Sequence, residues 1–288
     1  MTTLNIGLLG AGRIGMVHAS TIVQRVAAAR LAAVADVNLA AAQACAAKFG
    51  IPQAGNDPLA VINDPNIDAV LVCTSTDTHA TLIEAAAQAG KQIFCEKPVA
   101  MTLEQTDRAI NAAERAGVKL QIGFNRRFDA NYARVRQSVG SGEIGEPQIL
   151  HIISRDPAPP PIAYIKVSGG IFLDMAIHDF DMARFLTGSE ATEIYVQAGV
   201  MVDPAIGAAG DVDTAVILLR FANGVIATID NSRKAVYGYD QRAEFFGSGG
   251  VINTANNYAN SATLSTADSV RRDLQLNFFM QRYIEAYA

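Results

Sequence analysis

The chain has 288 residues, half of them apolar, which exceeds one typical domain and is enough to bury two cores. A net charge of -5 and a sequence pI near 5.4, with no cluster of Lys and Arg interleaved with aromatics, give no footprint for nucleic acid. No apolar run reaches about 18 residues, and Met1-Thr2-Thr3 leads into a strand pattern without a charged leader, so a cytoplasmic protein without membrane contact is expected.

From Leu4 to about Gly123, short apolar runs alternate with Ala-rich helical stretches, the pattern of a parallel sheet covered by helices. The runs are Asn5 to Leu9, Leu31 to Asp36, Ala69 to Cys73, Gln92 to Cys95 and Lys119 to Phe124. Gly50, Gly90 and Gly117 each follow a helical stretch, and Thr102 with Gln105 fits a capping box ahead of another. This predicts an α/β fold with an N-terminal doubly wound Rossmann sheet. Cys45, Cys73 and Cys95 form no C-x-x-C pair, so neither a disulfide nor a metal site is expected of them.

The segment NIGLLGAGRIG places Gly10, Gly12 and Gly15 after a strand and before a helix, the context in which G-x-G-x-x-G means dinucleotide binding. Gly10 permits the tight turn, Gly12 lets a pyrophosphate approach the backbone, and Gly15 lets helix and strand pack closely. Arg13 and Ile14 complete the loop and are counted with the cofactor residues. Asp36 ends the second strand, where a carboxylate can accept from the ribose hydroxyls and would repel a 2′-phosphate. Neither Val37 nor Asn38 supplies an offsetting cation, which predicts NAD over NADP. The competing reading makes Asp36 the N-cap of the helix beginning near Leu39.

The stretch CTSTDTHATL crosses from a strand into a helix at the carboxyl edge of the sheet, where Thr74, Ser75 and Thr76 can line the cofactor. His79 can contact the ribose or can cap and pack. In FCEKPVA, Glu96 and Lys97 stand at the end of the next strand and are placed at the cofactor, with Pro98 fixing the chain after them. A lysine there can hydrogen-bond a reacting hydroxyl and stabilise developing alkoxide charge; the alternative is an ordinary solvated lysine.

After Asn125 the order of elements changes, so a boundary near residue 124 separates domains 1–124 and 125–288. A polar helix runs through Tyr132 and Arg136, a strand ends near Ser154, and Pro157 and Pro159 to Pro161 form a connection. A strong helix then spans Ile171 to Leu186, and the runs Val216 to Phe221 and Val225 to Ile229 are joined by the turn pair Asn223-Gly224. That pattern predicts an α+β domain with an open, mostly antiparallel sheet.

Of the four histidines, His18 and His151 read as structural. His178 is different, because Asp174 lies four residues before it on the predicted helix and shares its face. An imidazole can take a proton near neutral pH, and a carboxylate one turn away can orient it or relay the proton. The pair could instead be a surface ion pair, with Asp179 and Asp181 as further solvated charges, or two ligands of a metal for which no third ligand is evident.

The glycine loop, the EKP segment and the D-x-x-x-H helix together resemble the glucose-fructose oxidoreductase and inositol dehydrogenase family. GFNRRFD, SRDP, SGGIFLDMAIHDFDMARFL and SRKAVYGYDQRAEFFGSGG are in the same style, so the resemblance covers essentially the whole chain. It implies a two-domain enzyme with NAD as cofactor that oxidises a secondary hydroxyl of a small polyol substrate, an inositol or a sugar, to a ketone. It further implies Lys97, Asp174 and His178 as the catalytic residues, with Arg127, Asp156 and Tyr237 lining the polyol pocket. A cis Lys97-Pro98 bond and a homotetramer with its large sheets packed face to face belong to the same expectation. So does a C-terminal shortening, because the chain stops at Ala288 within a helical pattern where family members continue. Two rivals stay open: a related enzyme acting on scyllo-inositol or an aldose, and a non-catalytic NAD-binding sensor, against which the presence of Lys97, Asp174 and His178 counts.

Overall fold

Apolar residues at adjacent positions of a strand point to opposite faces, and in the first half of the chain both faces find helices to bury them. The computed structural model describes residues 3–256, 261–271 and 280–287. It divides into one unit of Met1–Asn125 with Arg282–Ala288 and another of Arg126–Gln281.

The first unit runs β1 (Leu4–Leu9), α1 (Arg13–Arg25), β2 (Ala29–Ala35), α2 (Leu39–Phe49), β3 (Gln53–Gly55), α3 (Pro58–Ile62), β4 (Ala69–Val72), α4 (Thr76–Gln88), β5 (Gln92–Cys95), α5 (Leu103–Ala116) and β6 (Leu120–Ile122). All pairings are parallel in the order β3-β2-β1-β4-β5-β6, the doubly wound order whose switch point lies between β1 and β4. Ile6, Leu8, Val34, Leu71 and Phe94 pack with Ala19 and Ile22 of α1 and Ala42 and Cys45 of α2. Leu9, Ala35, Val70, Val72 and Ile93 fill the other side with Ile83 and Ala86 of α4 and Ala109 of α5. The edge strand β3 escapes the periodicity because three residues are too few to display it. Thr102 caps α5 by accepting from Gln105 N at 3.3 Å, and Gly50 and Gly117 close α2 and α5 in the left-handed conformation. All three cysteines are free and buried, and burial pushes the thiols of Cys73 and Cys95 well up.

The terminal helix Met280–Tyr287 brings Tyr283 and Tyr287 to this unit, although its residues follow the predicted boundary. Both rings pack edge-on against His18, with centroids 4.9 and 5.7 Å away, and Tyr287 also lies against Phe94. His18 is therefore a buried structural histidine.

The second unit follows a 3-10 turn at Asn125–Phe128. It comprises α6 (Ala130–Gly140), β7 (Pro147–Arg155), α7 (Ile162–Ile165), a π turn at Phe172–Ala176, α8 (Ile177–Thr187), β8 (Ala191–Gly199), α9 (Pro204–Ala208), β9 (Thr214–Phe221), β10 (Ile226–Ser232), β11 (Asp240–Gly247) and β12 (Gly250–Asn253). Its open sheet has the order β12-β11-β7-β10-β9-β8, parallel only between β7 and β10. Gly224, at φ +90, turns β9 into β10 as the Asn-Gly pair predicts. Leu150, Ile152, Ile217, Leu219, Ile229 and Phe245 form the inner face against Tyr132 and Val135 of α6 and Met182 and Leu186 of α8. The spacing predicts one continuous α-helix from Ile171; instead the π turn interrupts it at Asp174, and such interruptions are frequent at functional sites. No helix among the described residues is long and apolar enough to cross a membrane.

Candidate active site

Three glycines build the first part of the site, each for a different reason. Gly10 has φ +98, and a Cβ there would lie 2.5 Å from the Cys73 carbonyl oxygen, so the loops after β1 and β4 can touch only if residue 10 is glycine. A Cβ on Gly15 would sit 2.0 Å from the Gly10 carbonyl oxygen, which fixes how closely α1 can follow the turn. Gly12 has no such neighbour: a Cβ would meet nothing within 4 Å. Its bareness leaves open space at the N-terminus of α1, where no side chain caps the helix and no acid stands in the first turn. That is a cradle suited to a pyrophosphate held by backbone N–H groups, with Arg13 and Ile14 beginning the helix beneath it.

Asp36 braces this loop, its two oxygens accepting from Ala11 N at 2.7 Å and Asn38 N at 2.8 Å. The N-cap of α2 is Asn38, which accepts from Ala40 N at 3.1 Å, and not Asp36. A carboxylate has further lone pairs, so Asp36 keeps the capacity to accept from ribose hydroxyls. Across the switch point, Ser75 opens α4 without a side-chain cap. Thr78 donates its hydroxyl proton to Ser75 O at 2.8 Å, so the 2.7 Å contact between Thr74 and Thr78 is donated by Thr74. Thr74 thus presents acceptor lone pairs to its surroundings, and Ser75 and Thr76 flank it at the helix start.

His79 and Glu96, both assigned to the cofactor, also make buried contacts within the protein. His79 is 1% exposed, and its ring nitrogens lie 2.7 Å from Pro98 O and 3.1 Å from Thr74 O, so it ties the two loops together. Glu96, also buried, meets His18 Nε2 at 2.7 Å and accepts from Lys97 N at 3.3 Å. Both hold the backbone from which half-buried Lys97 projects, and the Lys97-Pro98 bond is cis.

In the second unit the π turn carries Asp174, and the first turn of α8 carries half-buried His178. Asp174 Oδ1 accepts from the Tyr164 hydroxyl at 2.9 Å, and its Oδ2 lies 3.2 Å from Arg233 Nη1. Asp156, just beyond β7, has backbone bonds to Ser232 O at 2.9 Å and from Ala235 N at 2.6 Å, which bracket Arg233. Burial pushes its carboxyl up to about 6; Asp174 and Asp179 add to the rise, and Arg126 and Arg233 oppose it.

Asp179 and Asp181 are not solvated charges, being 0% and 6% exposed. Asp179 pairs with buried Arg126 and accepts from Asn231 Nδ2 at 2.8 Å, while Arg126 also donates to Ser154 Oγ at 3.0 Å. Asp181 is forked by Arg127, whose Nε lies 2.9 Å away and whose guanidinium covers the Phe185 ring at 5.4 Å. Arg126, Arg233, Asp211 and Asn231 thus belong to the site's framework, although no spacing in the sequence distinguishes them.

Two residues that the resemblance assigns to the pocket also have protein partners. Arg127 pairs with Asp181. The Tyr237 hydroxyl donates to Asp240 at 2.8 Å and accepts from Arg155 Nη1 at 3.1 Å. Because strand residues alternate faces, Arg155 and its partner Asp230 point opposite to Ser154 and Asn231, which meet the Arg126–Asp179 pair. The described contacts of the Tyr237 hydroxyl therefore lie with residues of the sheet's outer side. Among the described residues no cluster of metal-ligating side chains occurs.

Comparison with known proteins gives this arrangement a family. Residues 4–124 match the oxidoreductase family with an NAD-binding Rossmann fold, and residues 132–253 match the GFO/IDH/MocA C-terminal domain. The chain is 49% identical to a myo-inositol 2-dehydrogenase of Thermotoga maritima, covering 99% of this chain and 85% of that protein. It is equally 49% identical to an inositol 2-dehydrogenase of Rhizobium meliloti, covering 99% and 86%. Among solved structures, scyllo-inositol dehydrogenase from Lactobacillus casei with bound NAD(H) and scyllo-inositol superposes with a TM-score of 0.92 at 29% identity, covering 99% of this chain and 87% of that one. The chain belongs to the GFO/IDH/MocA family of oxidoreductases and carries that family's NAD-binding Rossmann domain at its N-terminus.

Proposed function

We propose that this protein is an NAD-dependent inositol 2-dehydrogenase that oxidises the axial hydroxyl carbon of myo-inositol to the ketone. The observation that carries the reading is the 49% identity to myo-inositol 2-dehydrogenase over 99% of the chain, in a sequence that also holds Lys97, Asp174 and His178. When bound, NAD supplies the hydride acceptor. Gly10, Gly12, Arg13, Ile14 and Gly15 hold its pyrophosphate, Asp36 its adenosine ribose, and Thr74, Ser75 and Thr76 the neighbouring groove.

His178 takes the hydroxyl proton as general base, and Asp174 orients the imidazole and balances its charge. Lys97 donates a hydrogen bond to the same oxygen and steadies the negative charge that develops there. Asp156 accepts from a further ring hydroxyl, and its raised pKa of about 6 leaves it mainly a carboxylate at neutral pH. Arg127 and Tyr237, steadied by Asp181 and Asp240, line the polyol pocket with their remaining hydrogen-bonding capacity.

The reading extends to a homotetramer in the cytoplasm, where an exchanging NAD pool is available. Ile149, Tyr195, Val216, Leu218 and Phe246 lie exposed on one face of the second unit's sheet, an apolar surface suited to packing against a copy of itself. Light scattering on the purified protein reads this part, and a monomer at micromolar concentration would remove it.

A substrate panel followed by NADH absorbance tests the reaction. The expected result is turnover with NAD and myo-inositol, faster than with scyllo-inositol or glucose and faster than with NADP. Faster turnover of scyllo-inositol would move the assignment within the family; NAD binding without turnover of any polyol would return the chain to the sensor class.

A further inference from the structure

The strongest feature that the reading above leaves unused is Arg233. It is the largest fully buried side chain among the described residues and follows directly on β10. Its Nη1 lies 3.2 Å from Asp174 Oδ2 and its Nη2 3.3 Å from Asp211 Oδ2. Asp211 in turn accepts from Ile171 N at 3.0 Å through its other oxygen. Gly170 leaves the room for this: at φ +75, it would bring a Cβ to 2.7 Å from Asp211 Oδ1. One guanidinium therefore links the carboxylate inside the π turn to a carboxylate that holds the backbone just before that turn. Arg233 is itself held, because its backbone N donates to Asp213 O at 2.9 Å.

We infer that Arg233 is a positioning residue for proton transfer: with Asp211 it fixes Asp174 and the π turn, and so fixes the direction in which His178 is presented. The inference rests on the role proposed for His178. Three features argue for positioning and not only for cohesion. A planar fork sets the direction as well as the distance of two carboxylates, which a single point charge does not do. The two anchors hold the turn just before its start, at residue 171, and within it, at residue 174, both upstream of His178 on a continuing helix. Burying a whole guanidinium, with Nε left without a partner, is costly unless its geometry is used, because apolar residues fill such space at less expense. Tyr164, whose hydroxyl donates to Asp174 Oδ1 from α7, adds to the orientation.

The groups around Asp174 also define a readout. Asp156, Asp174, Asp179 and Asp211 face Arg126 and Arg233 in this cluster. Removing the charge of Arg233 leaves more negative charge beside the imidazole, which favours its protonated form and disables it as a base at low pH. A lysine keeps the charge and loses the fork.

The test is the full-length protein assayed with NAD and myo-inositol as wild type, R233K, R233Q, D211N and H178N, with NAD binding measured separately by fluorescence. Positioning predicts that R233K lowers kcat about tenfold and R233Q about a hundredfold, while KM for NAD and myo-inositol stays within about threefold. It predicts that the acid limb of the kcat profile moves to higher pH in R233Q and stays in place in R233K. D211N, which alters neither Asp174 nor Arg233, should lose kcat in the same direction by a few-fold. It is the variant to rely on if a change at residue 233 prevents folding. Wild-type kcat in R233K and D211N, with H178N inactive, would overturn the inference and leave the function standing. A wild-type enzyme that binds NAD and turns over no polyol would overturn the function and this inference with it.

Discussion

The glycine loop of the first unit and the Asp174 cluster of the second are built by opposite means. Around the glycine loop, position is enforced by backbone: a carbonyl 2.0 Å from where a Cβ would stand at Gly15, another 2.5 Å away at Gly10, and open space at Gly12. Around Asp174, position is enforced by side chains that meet from distant segments, as Arg126 does with Asp179 and Arg233 with Asp174 and Asp211. The first kind of geometry is written at fixed spacing in the sequence, whereas the second depends on folding to bring its parts together. A phosphate cradle needs donors in fixed array, which backbone supplies; a proton relay needs charges balanced against one another, which only side chains supply.

Substitutions can break this contrast. In the second unit the largest effect is expected from Asp179→Asn, which strands the buried Arg126 guanidinium and should cost about 3–5 kcal/mol in denaturant unfolding. In the first, Gly15→Ala should cost about 3 kcal/mol by forcing apart the turn and α1. Gly12→Ala should leave stability within about 0.5 kcal/mol of wild type, since its new methyl meets no protein atom, yet weaken NAD binding tenfold or more, a loss of about 1.4 kcal/mol in titration. Equal unfolding penalties for the two alanines would dissolve the distinction drawn between those glycines.

A smaller effect isolates electrostatics. The Asp156 carboxyl is raised in the folded state, so the folded protein holds its proton more tightly than the unfolded chain. Its contribution to stability is most favourable at low pH and declines as pH rises through about 6. Asp156→Asn should therefore match wild type near pH 4 and become the more stable protein above pH 6, by no more than about 3 kcal/mol. A difference independent of pH would point to packing instead. Asp36→Ala should have the mildest consequence, narrowing the preference for NAD over NADP by about tenfold, or about 1.4 kcal/mol; unchanged selectivity would remove Asp36 from the ribose site.

How much of this was legible follows from the same contrast. The doubly wound order, the switch point and the loop glycines could be read because strand and helix periods and the G-x-G-x-x-G spacing are local. Asp174 and His178 could be singled out by their spacing, but the π turn could not, since an i to i+5 turn leaves no mark on a four-residue spacing. The rival reading of Asp179 and Asp181 as solvated charges fails, and the sequence could not exclude it because their guanidinium partners stand more than fifty residues away. His79 and Glu96 sit where cofactor residues would, and only their buried hydrogen bonds reveal that they tie the loops together. The arginine pair in FNRRF gives no sign of which member is buried; the fold decides it, sending Arg126 inward and Arg127 to the rim.

The proposed function turns on Lys97 and His178 acting on the same substrate oxygen. Turnover of myo-inositol by Lys97→Ala, His178→Ala and the double variant measures it most directly, with NAD affinity determined in parallel. The account predicts that each single change lowers kcat by about a thousandfold, that the double change loses far less than the product of the two, and that NAD affinity stays near wild type. Either single variant turning over like wild type, or two losses that simply multiply, would contradict it.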